Sequence, residues 1–266
     1  MFEILGYIGA LLVGISLGLI GGGGTILTVP IMVYLLGINP VLSTAYSLFI
    51  VGAGALVGAI NNLRKGLVSI KTTIVFAIPS FIAVYATRAY LIPAIPQELF
   101  TLSDFTLTKD IAIMIFFAVI MVVAAVSMIR SKRGGEEEDA KPQTFNYPMI
   151  ILDGLVVGTL TGIVGAGGGF LIIPALVLLA KLPMKMAVGT SLSIITIKSL
   201  IGFVGDLQAG QEIDWPFLLI FSGLTIVGIL VGGYLSNFIP GKKLKSGFGW
   251  FVLVMATYIL MKELVL

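Results

Sequence analysis

No cysteine and no histidine occurs anywhere in the sequence. Their absence removes disulfides, thiolate nucleophiles, iron–sulfur ligation, haem ligation by either residue and most zinc sites. It also removes the usual general base and the usual titration near neutral pH. Charge is scarce as well: Asp, Glu, Lys and Arg make up 11% of the 266 residues, against roughly 25% in an ordinary soluble domain. What fills the chain instead is apolar, 58% of residues with a mean hydropathy of +1.12. A soluble chain of this composition would lack the polar surface to cover itself, so the lipid bilayer is its solvent. The net charge of +3 fits cytoplasmic Lys/Arg loops, and no basic tract with interleaved aromatics suggests nucleic acid as a partner.

Ten apolar stretches stand between charged or Pro/Gly breaks: Ile4–Ile20, Ile26–Leu36, Val41–Leu63, Thr72–Ile92, Ile111–Ile129, Pro148–Val164, Phe170–Ala180, Met186–Val204, Pro216–Phe238 and Leu244–Met261. Most approach the ~20 residues of a spanning helix. Ile26–Leu36 and Phe170–Ala180 do not, and at about 11 residues each would extend only roughly 17 Å as helices. Met1-Phe2-Glu3 lacks a basic leader and no small-x-small cleavage site follows, so the first stretch reads as a retained helix. The one extended polar segment, SKRGGEEEDAKPQ within Arg130–Asn146, reads as a solvated connector.

The two sides of that connector repeat each other without a gap at an offset of 144 residues. Gly18, Gly21, Gly23, Gly24, Leu27 and Pro30 fall on Gly162, Gly165, Gly167, Gly168, Leu171 and Pro174. Ser47-Leu48 falls on Ser191-Leu192, Gly58 on Gly202 and Gly66 on Gly210. Duplication is the economical explanation. The expected organisation is a first repeat at 1–130, a cytoplasmic linker at 131–146 and a second repeat at 147–266.

Loop charges set an orientation. Arg64, Lys65 and Lys71 mark one loop as cytoplasmic, as do Arg130, Lys132 and Arg133 in the linker and Lys242, Lys243 and Lys245 later. Glu98, Asp104 and Asp110 against Lys109 alone place the 93–110 loop outside, and Glu212 with Asp214 do the same for 207–215. Equivalent loops thus lie on opposite faces. The expected fold is an all-α polytopic membrane protein of two inverted-topology repeats, each of about five helical segments opening on a glycine-broken hairpin, with both termini outside. Inverted repeats with interrupted helices are an architecture of secondary transporters.

The glycine runs interrupt apolar helices at matched points. Such backbone is tolerated in a membrane only where it lines a cavity or packs on protein. Helix N-termini beginning near Thr25 and Phe170 would offer unpaired N–H groups and partial positive charge to an anion. The alternative is plain close packing of small residues between helices. Lys198, deep in its span, should face a cavity or a partner, and as an anion ligand would be compensated when loaded; otherwise it snorkels. Arg88, near the end of its span, is expected to snorkel, and Asp153 and Asp206 to sit near helix ends without carrying protons. Ser47, Thr190 and Ser191 offer hydroxyls to an oxyanion or to neighbouring helices. The candidate substrate-binding set is therefore Gly22, Gly23, Gly24, Thr25, Ser47, Gly167, Gly168, Gly169, Thr190, Ser191 and Lys198. No catalytic or metal-ligating set and no cofactor motif is found, and neither glycine run is followed by the Lys-Ser/Thr of a P-loop.

The duplicated G-x-x-G-x-G-G followed by Pro30 or Pro174, with Gly189-Thr190-Ser191-Leu192 downstream, resembles the TauE/SafE sulfite-exporter family, also called toluene-sulfonate uptake permeases. The resemblance runs from Leu5 to about Leu260 and implies transport of sulfite or organosulfonates such as sulfoacetate across a bacterial inner membrane. Family members serve in export and in uptake, and export is the expectation here. The first half departs from the second, with Ala45-Tyr46-Ser47 for Gly189-Thr190-Ser191 and Gly54 for Lys198, so the site should be asymmetric. An anion channel or an uptake permease for another oxyanion stays open. So, less favoured, do a non-transporting scaffold and a membrane enzyme, although no catalytic cluster supports the last. Expected partners are a small anion and the lipid bilayer; a homo-oligomer is left open.

Overall fold

The computed structural model describes residues 2–20, 25–102, 105–130, 147–165, 167–178, 182–235, 238 and 241–265. In chain order the elements are α1 (Phe2–Ile20), α2 (Thr25–Leu35), α3 (Pro40–Arg64), α4 (Ile70–Ala94), β1 (Glu98–Leu102) and β2 (Phe105–Thr108). After them come α5 (Lys109–Arg130), α6 (Tyr147–Val164), α7 (Gly169–Leu178), α8 (Met184–Gln208), α9 (Trp215–Leu235) and α10 (Gly241–Val265). Each of the ten apolar stretches is thus a helix. Gly21–Gly24 and the linker at 131–146 lie outside the described residues.

One expectation is corrected. The all-α expectation does not extend to the 93–110 loop, where β1 and β2 pair antiparallel, Leu102 opposite Phe105 and Thr101 opposite Thr106. Leu-Phe-Thr-Leu and Phe-Thr-Leu-Thr are runs of strand-favouring residues, and the polar Ser103-Asp104 between them suits a connection. Among the described residues the regular structure is therefore helical apart from this ribbon.

The helix ends follow local chemistry. Asn39 caps α3, its Oδ1 accepting from the amides of Val41 (2.9 Å) and Leu42 (3.3 Å), with Pro40 just inside. Gly66 (φ +69°) stops α3 and Gly210 (φ +79°) stops α8, each followed by a matching return bond, Leu67 N to Asn62 O (2.9 Å) and Gln211 N to Asp206 O (3.2 Å). A Cβ at either glycine would meet nothing, so backbone conformation alone requires them. Helices α3 and α8 are both 25 residues long. They start 144 positions apart, Pro40 to Met184, and end 144 apart, Arg64 to Gln208.

Among the described residues, five helices are long and apolar enough to cross a bilayer, and α1, α2 and α6 contribute shorter apolar stretches. Their outward faces are apolar too: Ile70, Ile74, Ile78 and Ile82 project from α4, and Leu219, Ile220, Val227 and Leu230 from α9. A soluble surface would not carry such belts; hydrocarbon accepts them at no cost. This is a membrane protein.

Small residues set the packing. Gly14 and Gly18 of α1 meet Gly228 and Gly232 of α9, with residue numbers rising together, so the pair runs parallel. Gly154, Gly158 and Gly162 of α6 meet Pro79, Ser80 and Thr87 of α4, also in parallel. At the centre α3 and α8 run antiparallel, Gly52 against Leu200 and Gly58 against Leu192. Helices α5 and α10 close another side through Phe117, Met121, Ala125, Val252 and Ala256.

Helices in lipid associate through such close contact rather than through expulsion of water. A Cβ at Gly14 would lie 2.8 Å from the Gly228 Cα and collide with the Thr225 carbonyl, whereas Gly223 on the same helix pair's outer face meets nothing. Gly14→Leu should therefore destabilise the purified protein by about 1–3 kcal/mol, and Gly223→Leu should leave it nearly unchanged. Thermal unfolding in detergent checks the pair.

Candidate functional site

The break between α6 and α7 sits inside the bundle. Gly165, Gly167 and Gly168 all take left-handed backbone, with φ of 70°, 62° and 64°. Side chains are excluded here by space as well. A Cβ on Gly165 would strike Thr44, one on Gly167 would strike Val51, and one on Gly168 would strike Thr161 and lie 2.8 Å from the Lys198 Nζ. Gly169 follows as the first residue of α7, and the amides of Leu171 (3.0 Å) and Ile172 (3.1 Å) turn back to the Gly168 carbonyl. Two faces enclose this turn: α3 with Thr44 and Val51, and α8 with Ile195 and Lys198.

Lys198 is fully buried past the middle of α8. Its ammonium donates to the Thr161 hydroxyl at 3.0 Å, and Thr161 donates onward to the Gly158 carbonyl at 3.2 Å. Among the described residues no carboxylate lies within ion-pair distance of it. A buried ammonium with one neutral partner is under-compensated by several kcal/mol. Gly168, where a Cβ would lie 2.8 Å from the ammonium, leads into the N-terminus of α7, whose dipole carries the same sign.

Arg88 provides the contrast. It was expected to snorkel and is fully buried instead. Its Nη2 lies 2.7 Å from one Asp206 carboxylate oxygen and its Nε 2.9 Å from the other. Nη1 donates to the Thr44 hydroxyl (2.9 Å) and the Gly162 carbonyl (3.2 Å). The reason is local geometry: Arg88 continues the buried row Phe76, Ser80 and Val84 at four-residue spacing, and Gly205 on α8 leaves room for it, since a Cβ there would lie 3.1 Å from the Arg88 Cβ. Asp206, in the last turn of α8 as expected, is a buried counter-ion.

The other predicted residues divide. Ser47 comes to the break: it shares a helical face with Thr44 and Val51, which touch Gly165 and Gly167, and its buried hydroxyl has no partner among the described residues. Ser191 shares a face with Ile195 but donates to the Val188 carbonyl at 2.8 Å. Thr190 is not brought to the break; its hydroxyl accepts from the Ser69 amide at 2.9 Å and ties α8 to the loop before α4. Thr25 is fully buried at the start of α2. Gly22, Gly23 and Gly24 lie outside the described residues. Reasoning on the sequence passed over Thr161, Thr44 and the Arg88–Asp206 pair. Thr161 was legible as the residue four before Gly165 where the first half has Leu17; the ion pair joins positions 118 apart and left no sequence signal.

A bundle of apolar helices with enclosed broken backbone and a buried cation at the break fits the class of membrane transporters. The comparisons agree. The profile of the family described as Sulfite exporter TauE/SafE matches residues 7–262, and the chain belongs to that family. It is 27% identical to a "Probable membrane transporter protein" of Xylella fastidiosa (strain 9a5c), over 95% of this chain and 92% of that one. It is 28% identical to "Probable membrane transporter protein YunE" of Bacillus subtilis (strain 168), over 91% and 89%. With "Probable membrane transporter protein MJ0441" of Methanocaldococcus jannaschii it shares 34% identity over 42% of this chain and 43% of the other. No solved structure matches the chain significantly.

The buried pair gives a measurable consequence. Arg88→Met strands Asp206 as an uncompensated buried carboxylate and should cost about 3–5 kcal/mol. Arg88→Met combined with Asp206→Leu should recover most of that loss in thermal unfolding of the purified protein.

Proposed function

We propose that this protein is a secondary transporter that exports a small sulfur-containing anion, sulfite or an organosulfonate such as sulfoacetate, from the cytoplasm of a bacterial cell across its inner membrane. The observation that carries this reading is Lys198: a buried ammonium without a carboxylate among the described residues, beside left-handed glycine backbone. An arriving oxyanion supplies the missing charge and accepts from the ammonium and from backbone amides at once. In this reading Thr161, the Gly167–Gly169 turn and Ser191 are the second half's share of the pocket, and Gly22–Thr25 with Ser47 the first half's. Sulfite export is the activity in the family's own description.

The transport mechanism in this reading uses two inverted repeats, 1–130 and 147–266, joined by a cytoplasmic linker at 131–146. Its support is the antiparallel crossing of α3 on α8, the same element in each half, and the matched parallel pairs α1 with α9 and α6 with α4. Each repeat would rock against the other around the glycine breaks, exposing them to one face at a time. Lys65 and Arg64 on one loop, against Glu212 and Asp214 on its counterpart, orient the chain with its ends outside.

Efflux of sulfite from loaded proteoliposomes should fall at least tenfold in Lys198→Met while the protein still purifies as a folded species. Methanesulfonate and sulfoacetate should compete with sulfite, and a cation such as choline should not. Undiminished efflux in Lys198→Met would remove Lys198 from the site. Conductance under voltage without coupling to a second ion would identify a channel instead.

A further inference from the structure

A cavity of about 340 Å³ opens between the C-terminal ends of α1, α3 and α9, far from the Arg88–Asp206 pair. Leu17 and Gly54 form its deep end, and Asn61, Asn62, Lys65 and Tyr234 its polar lining. Among the described residues no acidic one lines it. Gly54 and Leu192 on its lining lie one helical turn from Val51 and Ile195, which a Cβ on Gly167 would meet, so the cavity leads toward the glycine break at Gly165–Gly168. A second cavity, of about 350 Å³ between α1, α3 and α9 at their opposite ends, carries Asp214 and no cation, which suits no anion.

The duplicated halves show that the first cavity is a built feature. Positions 144 later than Leu17, Gly54 and Asn62 are Thr161, Lys198 and Asp206. There the corresponding space is filled: Lys198 reaches Thr161, and Asp206 is held by Arg88, which stands where the first half's partner helix has Gly232. In the first half the same places carry a glycine, neutral amides and no charge but Lys65 at the mouth. Its volume falls within the ~300–1,000 Å³ of small-molecule sites. A cation and two amide side chains, with no carboxylate, select a small oxyanion.

We infer that this cavity is an entry site for the transported anion, in which Lys65, Asn61 and Asn62 bind it before it reaches the glycine break. This rests on the transporter reading above and extends it to a second, shallower site. Lys65 gathers anions at the mouth, and the amides replace part of their hydration as they descend.

The absence of cysteine makes the test direct. Val57 lines the cavity, so Val57→Cys places one thiol inside it. The thiol is reacted in detergent with methanethiosulfonate reagents bearing either an ethylsulfonate or an ethyltrimethylammonium group. The expected result is a preference for the anionic reagent on the order of tenfold over that of a free thiol. Lys65→Gln should abolish it, and millimolar methanesulfonate should slow the reaction. Val188→Cys, also on the lining, serves if Val57→Cys fails to fold. Equal rates for the two reagents, or a preference indifferent to Lys65→Gln, overturns the entry site. The deeper reading is judged apart, by efflux in Lys198→Met: loss of efflux with no charge preference at Val57→Cys leaves the Lys198 site standing and the entry site refuted. A preference with normal Lys198→Met efflux does the reverse.

Discussion

Backbone that leaves the helix inside a membrane has no water to bond and must be enclosed by protein. At Gly165–Gly168 the enclosure is tight enough that the surrounding helices touch the glycines where side chains would begin. Thr44 and Val51 approach from α3, Ile195 and Lys198 from α8, and Thr161 from the turn before. The rest of the architecture serves this enclosure. Helices α3 and α8 must cross at the centre, and the glycine-lined pairs α1 with α9 and α4 with α6 let the bundle close around them.

The two fully buried cations then acquire different meanings. Arg88 has a carboxylate on two of its nitrogens, a hydroxyl and a carbonyl, so its charge is spent within the protein. Such a pair is costly to break from one side, which makes it a structural lock between α4 and α8. Lys198 holds only a threonine hydroxyl among the described residues and lies near the N-terminus of α7, whose dipole carries the same sign. A folded protein keeps an uncompensated charge of that kind where something else arrives to balance it. The membership in the sulfite exporter family and the chemistry of the position point the same way.

Duplication supplied one pattern and divergence gave its halves different work. The second half places charge at the positions of Gly54 and Asn62, as Lys198 and Asp206, and closes over them. The first half keeps glycine and amides there and leaves an open cavity with Lys65 at its mouth.

Much was legible from the order of residues alone. Membrane residence follows from composition, because no arrangement of these side chains could cover a soluble surface. The ten helices follow from apolar length, their ends from Asn39, Gly66 and Gly210, and the duplication from glycines and prolines at constant offset. Depth in the span marked Lys198 as unusual. What only the tertiary structure decided are the partners: Arg88 with Asp206, Lys198 with Thr161, Thr190 with Ser69, and a strand ribbon where a loop was expected. The physical reason is that burial and periodicity are written along one helix, whereas a buried polar contact depends on which helix lies opposite and at what height. Arg88 follows Phe76, Ser80 and Val84 at four-residue spacing on the buried face of α4, and only the placement of Asp206 opposite it decides that its charge is neutralised there and not at the interface.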